Sequence, residues 1–184
     1  MSEGLGTASA PPAGVAASNY ARWAPAAAAA VGVLAGLISH GLSSRGVVTA
    51  ALLGSLFALA VIDYREQVVP NRIVLPAAAL VLGLQLALFP DQALEWILSA
   101  AITGAVLLVI SLLKRDTLGA GDAKVGLLLG AGLGTEVAFA MLIGVLALWP
   151  YAAYLVFSEG VDARKKAIPL TPALALGAAI VALS

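Results

Sequence analysis

The sequence contains no cysteine. That single absence excludes disulfides, thiolate nucleophiles and cysteine-ligated zinc together. Charge is scarce as well: Asp, Glu, Lys and Arg make up 11% of the 184 residues, where a soluble domain carries about 25%. Apolar side chains fill the gap at 61%, and the mean hydropathy is +1.02. These values describe an integral membrane protein with no room for a large soluble module. The formal net charge is zero, so no basic surface points to nucleic acid. Histidine occurs once, as His40, near the end of the first apolar run. It therefore lacks the imidazole or thiolate partners that transition-metal sites usually need. No deep serine has a histidine at its own depth, which removes serine-triad chemistry.

What is present is a series of apolar runs. A spanning helix needs roughly 20 mostly apolar residues. Candidates fall near 24–42, 47–63, 72–89, 94–113, 122–134, 136–157 and 168–184. The expected fold is all-α, a polytopic membrane helix bundle of about seven transmembrane helices, with residues 22–184 forming one membrane-embedded domain. The fifth run is short, and Trp149-Pro150 should kink the sixth or end a turn of it. Residues 1–21 are rich in Ala, Pro, Ser and Gly and read as a disordered tail rather than a signal peptide. The basic residues orient the bundle. With the N-terminus cytoplasmic and the C-terminus outside, Arg22, Arg65, Arg72, Lys114, Arg115, Lys124, Arg164, Lys165 and Lys166 lie on the cytoplasmic side, and only Arg45 lies outside. Asp91, Glu95 and Glu136 fall in the outer loops.

Against this background two carboxylates stand out. Asp63 ends the apolar run of "ALAVIDYREQVVPN", and Asp122 lies in "GAGDAK", between two apolar runs. Helix rise puts Asp63 ~25 Å and Asp122 ~20 Å from the outer ends of their helices. In a hydrocarbon core ~30 Å thick, both therefore lie at one depth near the cytoplasmic boundary. An ionisable group at such depth marks function by default. The plain structural alternative is that each Asp caps a helix or pairs with Arg65 or Lys124. Two carboxylates brought together share one proton. One can then serve as general base on a water while the other, protonated, polarises a peptide carbonyl. Gly119 and Gly121 would let backbone or substrate approach Asp122. No metal is needed for this chemistry. Oxygen-ligated Mg²⁺ or Ca²⁺ would want a third deep acid, and Glu66 and Asp116 belong to polar loops. No cofactor is expected.

"GAGDAK" matches the Gly-x-Gly-Asp-x-Lys signature of the type IV prepilin peptidases, and "DYREQVVPN" matches their other motif, an Asp followed after six residues by Pro-Asn. The closing "IPLTPALALGA" resembles the family's last segment, with Thr171 where Gly is common. The similarity covers about residues 47 to 184. It implies a six-helix peptidase core, here with an extra N-terminal helix, and an intramembrane aspartic endopeptidase with Asp63 and Asp122 as the catalytic pair. The implied partners are the lipid bilayer and the helix of a prepilin or pseudopilin, whose short basic leader is cut at the cytoplasmic face. Family members often carry an N-methyltransferase domain with a four-cysteine zinc site near the N-terminus. The absence of cysteine and the brief "SSRG" connection argue against methylation here, and the chain resembles the short stand-alone forms of Flp/Tad pilus systems. Archaeal preflagellin peptidases are similar in design.

The other motif residues have simpler readings. Pro70 fixes how the chain enters the third helix, and Asn71 lies near its first turn, either capping or meeting substrate. Lys124 either biases Asp122 or snorkels to the phosphates. The stretch "GLLLGAGLG" offers small faces for close helix packing. Two other classes compete: a small transporter using the two Asp as a cation site or proton relay, and a silent scaffold for pilus assembly. A transporter of this kind predicts two repeated halves, and no repeat is visible.

Overall fold

The computed structural model describes residues 13–113, 119–159 and 170–184. Among these the chain forms seven α-helices: α1 (Ala13–His40), α2 (Ser44–Glu66), α3 (Asn71–Leu88), α4 (Ala93–Leu113), α5 (Ala120–Leu133), α6 (Val137–Glu159) and α7 (Thr171–Leu183). It is an all-helical polytopic membrane bundle. Single 3-10 turns at Pro90–Gln92 and Gly134–Glu136 lead into α4 and α6.

Four stretches cross a membrane by length and composition within single connections: Arg22–His40, Ser44–Glu66, Asn71–Leu88 and Pro90–Leu113. A fifth, Gly121–Pro150, runs through α5 and into α6, and Thr171–Leu183 is apolar but shorter. The seven expected helices are present and are of unequal reach. With 14 and 13 residues, α5 and α7 extend only about 20 Å at the helical rise. Gly134, at φ 57, turns the chain between α5 and α6. Other boundaries moved too. The α1–α2 turn is Gly41–Ser43, because Ser44 and Arg45 already belong to α2. The side chain of Ser43 caps that helix by accepting from the Gly46 N–H at 3.1 Å. Pro150 neither ends nor interrupts α6, which runs on to Glu159. α1 begins at Ala13, inside the stretch read as a tail, while residues 1–12 lie outside the described residues.

The helices form an inner and an outer set. The fully buried large side chains are Leu52, Leu53, Leu56 and Leu59 of α2, Val74 and Val81 of α3, Val125, Leu128 and Leu129 of α5, and Leu174 of α7. Outside this core α1 lies along α2, α4 along α5 and α6 along α7. The outer helices present apolar side chains outward, among them Ile38, Ile102, Val106, Phe139 and Leu146. Lipid is as apolar as these side chains, so close packing rather than water exclusion must hold the helices together. Gly130 shows how close the packing is: a β-carbon there would lie 2.3 Å from the Ser99 carbonyl oxygen on α4. The small face expected of "GLLLGAGLG" is thus used against a neighbouring backbone.

Candidate active site

Each of the four inner helices brings one end to the same region. Asp63 lies in the last turn of α2, Asn71 opens α3, Asp122 lies in the first turn of α5, and Thr171 opens α7. The chain reverses between α2 and α3 through Gln67, which closes α2 in the left-handed conformation at φ 52 and donates its N–H to the Asp63 carbonyl at 2.8 Å. Among the described residues it is the one non-glycine with positive φ, a conformation that costs roughly 1–2 kcal/mol for a residue with a β-carbon. The turn sends Val69 inward, where it is buried. Pro70 stands just before α3, and its carbonyl accepts from Ile73 and Val74.

Asp63 is only 6% exposed. Its Oδ2 accepts the main-chain N–H of Thr171 at 3.1 Å. The first N–H groups of a helix have no partner within the helix, so Asp63 satisfies one of those of α7 across 108 residues of sequence. Asp122 is half-buried. Its Oδ2 accepts the N–H of Gly119 at 3.1 Å, and its own N–H donates to the Gly119 carbonyl at 3.0 Å. The capping alternative therefore describes both carboxylates in part, since each accepts a main-chain N–H at a helix start. It does not account for where they lie: the turn that follows Asp63 packs through Val69 against Gly121, the residue just before Asp122. The structure thus brings the two motif acids to one place.

The flanking motif residues meet as well. Lys124 Nζ donates a hydrogen bond to Asn71 Oδ1, so Lys124 ties α5 to the start of α3. A β-carbon on Gly121 would lie 2.9 Å from Val69 Cβ and 3.2 Å from its Cγ2. The glycine is needed for the turn after Asp63 to lie against α5. By contrast, among the described residues a β-carbon on Gly119 would meet only Gly121 N at 3.8 Å and Asp122 Oδ2 at 4.0 Å. Glu66 is exposed at the end of α2, and Asp116 lies outside the described residues. His40 is at the opposite end of the bundle, where its Nε2 donates to the Ala182 carbonyl at 2.8 Å. Among the described residues no three His, Cys, Asp or Glu side chains gather as a metal site would need.

Two participants escaped the sequence reading, Val69 and the Thr171 N–H. The second had a signal: Pro172 suits the first turn of a helix, and a helix start offers free N–H groups. Thr171 is fully buried, and its hydroxyl has no partner among the described residues.

Comparison with known proteins identifies the family. A prepilin leader peptidase/N-methyltransferase from Pseudomonas putida is 31% identical over 148 residues, which cover 74% of this chain and 49% of the relative. The chain thus spans about half the length of that protein. No solved structure matches it. The profile of the type IV leader peptidase family matches residues 50–183, a stretch that holds Asp63, Asp122, Asn71, Lys124 and Thr171, and the chain belongs to that family.

Proposed function

We propose that the protein is an intramembrane aspartic endopeptidase that removes the leader peptide of prepilin-like or pseudopilin-like proteins, with Asp63 and Asp122 as its catalytic pair. The observation that carries this reading is the convergence of the two carboxylates from α2 and α5, each held by a main-chain N–H. Such holding fixes the orientation of the acids before substrate arrives, as general acid–base chemistry requires.

In the proposed reaction one carboxylate takes a proton from water as the water oxygen bonds to the scissile carbonyl carbon. The other, protonated, gives its proton to the carbonyl oxygen. The tetrahedral species then collapses: the proton gained by the first carboxylate passes to the leaving nitrogen, the C–N bond breaks, and one hydroxyl proton returns to the second carboxylate, which restores the pair. Among the described residues nothing crowds Gly119 beside Asp122, which suits an extended peptide lying there. The Gly121–Val69 and Lys124–Asn71 contacts serve as positioning elements that hold α5 against the turn after Asp63.

The proposed activity is peptidase alone. The sequence has no cysteine, and only Gly41–Ser43 joins α1 to α2, so this chain offers no cysteine zinc site between its first helices. The site opens to the cytoplasm in this reading, on the basic side of the plasma membrane. Co-expression with a candidate prepilin carrying a short basic leader tests it. A size shift on a gel and an N-terminal sequence beginning after the leader are expected. Persistence of the full-length prepilin would contradict it and favour a relay or transport role for the two Asp.

A further inference from the structure

At the end of the bundle opposite Asp63 and Asp122, the helices enclose a polar cavity of about 370 Å³. It collects the other ends of the same inner helices, together with the end of α1 and the start of α4. His40, Arg45, Gln85, Glu95, Trp96 and Glu136 are among the residues that line it. The proposed peptidase chemistry uses none of them.

Two of these side chains are left with unmet hydrogen-bonding capacity. Gln85 is 3% exposed. Its Nε2 donates to the Gly132 carbonyl at 3.1 Å, which fixes the orientation of the amide, because a carbonyl can only accept. Its Oε1 is then buried with no donor among the described residues. The Trp96 indole N–H is likewise buried with no acceptor among them. Buried polar atoms are nearly always paired, and two orphans on residues that line one cavity call for an occupant that their side chains turn to meet. That occupant must offer a donor to Gln85 and an acceptor to Trp96.

The charges define it further. Arg45 suits an anion, while Glu95 and Glu136 suit a cation. Glu95 Oε1 already accepts from the Thr135 N–H at 3.3 Å and its hydroxyl at 3.0 Å, which leaves Glu136 the less committed of the two. The complement is a zwitterion with an ammonium that carries N–H and an anionic acceptor such as phosphate. Position names the source. The cavity lies where membrane helices end, at the level of lipid headgroups, and the neighbouring residues Leu42 and Leu94 are exposed apolar side chains that suit acyl chains. We propose that this cavity is a binding site for the phosphoethanolamine headgroup of a bilayer lipid. Its phosphate would lie on Arg45 and the Trp96 N–H, and its ammonium on Glu136 and the Gln85 carbonyl oxygen. A phosphocholine group has no N–H to donate, and a phosphoglycerol group has no cation, so both fit worse.

The test is native mass spectrometry of the full-length protein, released from nanodiscs of equal parts phosphatidylethanolamine, phosphatidylcholine and phosphatidylglycerol. Preferential retention of phosphatidylethanolamine is expected. Arg45→Gln and Glu136→Gln, both at exposed positions, should each weaken retention roughly three- to tenfold, the effect of one charge-assisted hydrogen bond in a partly exposed site. Soluble glycerophosphoethanolamine and inorganic phosphate, added separately, distinguish the sources. Displacement of the lipid by the first but not the second supports headgroup recognition. Equal retention of all three lipids, or a preference that neither substitution alters, would overturn the proposal and leave a water-filled cavity. Displacement by inorganic phosphate alone would overturn it in favour of a simple anion site.

Discussion

Gly121→Ala places one methyl group between the two motifs. The added carbon would meet Val69 Cβ at 2.9 Å and Cγ2 at 3.2 Å. The first distance is one that real β-carbons do not keep, and Val69 is buried with little room to retreat. Either α5 or the turn from Gln67 to Pro70 must move. Overpacking by a methylene in a tight site costs typically 1–3 kcal/mol. The shift falls on the piece of structure that sets Asp63 relative to Asp122, and misplacement of reacting groups by about 1 Å can lower a rate by roughly 10²-fold. Gly121→Ala should therefore lose most leader cleavage in a co-expression gel assay while losing at most a few kcal/mol in a detergent melt. Val69→Ala in the same chain removes the Cγ2 contact but keeps Cβ, so it should restore activity only in part. Gly121→Ala with ordinary turnover and unchanged stability would refute the reasoning, because the glycine would then not be what lets the motifs meet.

Four further expectations are open to direct measurement. Lys124→Ala and Asn71→Ala should each reduce cleavage less than loss of either Asp, and their double-mutant cycle should show a coupling of about 1 kcal/mol for an exposed charge-assisted hydrogen bond; additive effects would show that the bond does not matter. Thr171→Val deletes a buried hydroxyl without a partner but keeps the N–H that Asp63 uses, so the melting temperature should hold or rise by the equivalent of about 1 kcal/mol; a lower value would mean that the hydroxyl is paired. Gly130→Ala should destabilise by several kcal/mol, since its new methyl meets the α4 backbone, whereas Gly83→Ala in α3 meets nothing within 4 Å and should be neutral or gain up to about 1 kcal/mol. Reporter fusions after Phe89 and after Gly160 should report opposite sides of the membrane, and agreement between them would contradict the proposed orientation.

Much of the fold could be read from the sequence, for identifiable reasons. Apolar runs long enough to span a bilayer announce α2, α3 and α4 directly. The depth argument brought Asp63 and Asp122 to one end because helical rise is nearly constant. What the sequence did not reveal was tertiary. No local pattern says that Gly121 faces Val69, that Lys124 reaches Asn71 rather than Asp122 or the lipid phosphates, or that the start of α7 supplies an N–H to Asp63. Those facts depend on which helices are neighbours, and the inner set of α2, α3, α5 and α7 is not in chain order. The shortness of α5 was visible in its brief apolar run, but that of α7 was not, because an apolar residue beside a helix end looks the same as one within the helix.

The central claim is that Asp63 and Asp122 act as one catalytic pair. It is tested most directly by purifying the wild type, Asp63→Asn and Asp122→Asn, and following leader removal from a prepilin substrate with N-terminal sequencing of the product. Asn keeps the shape of the side chain and an oxygen that can accept from Thr171 or Gly119, so both variants should fold and melt like the wild type. Neither can take the proton of water or donate an acidic one. Because the pair works as a unit, each single loss should be close to total, and the double variant should be no worse. Ordinary turnover in either single variant, with correct leader removal confirmed by sequencing, would contradict the account.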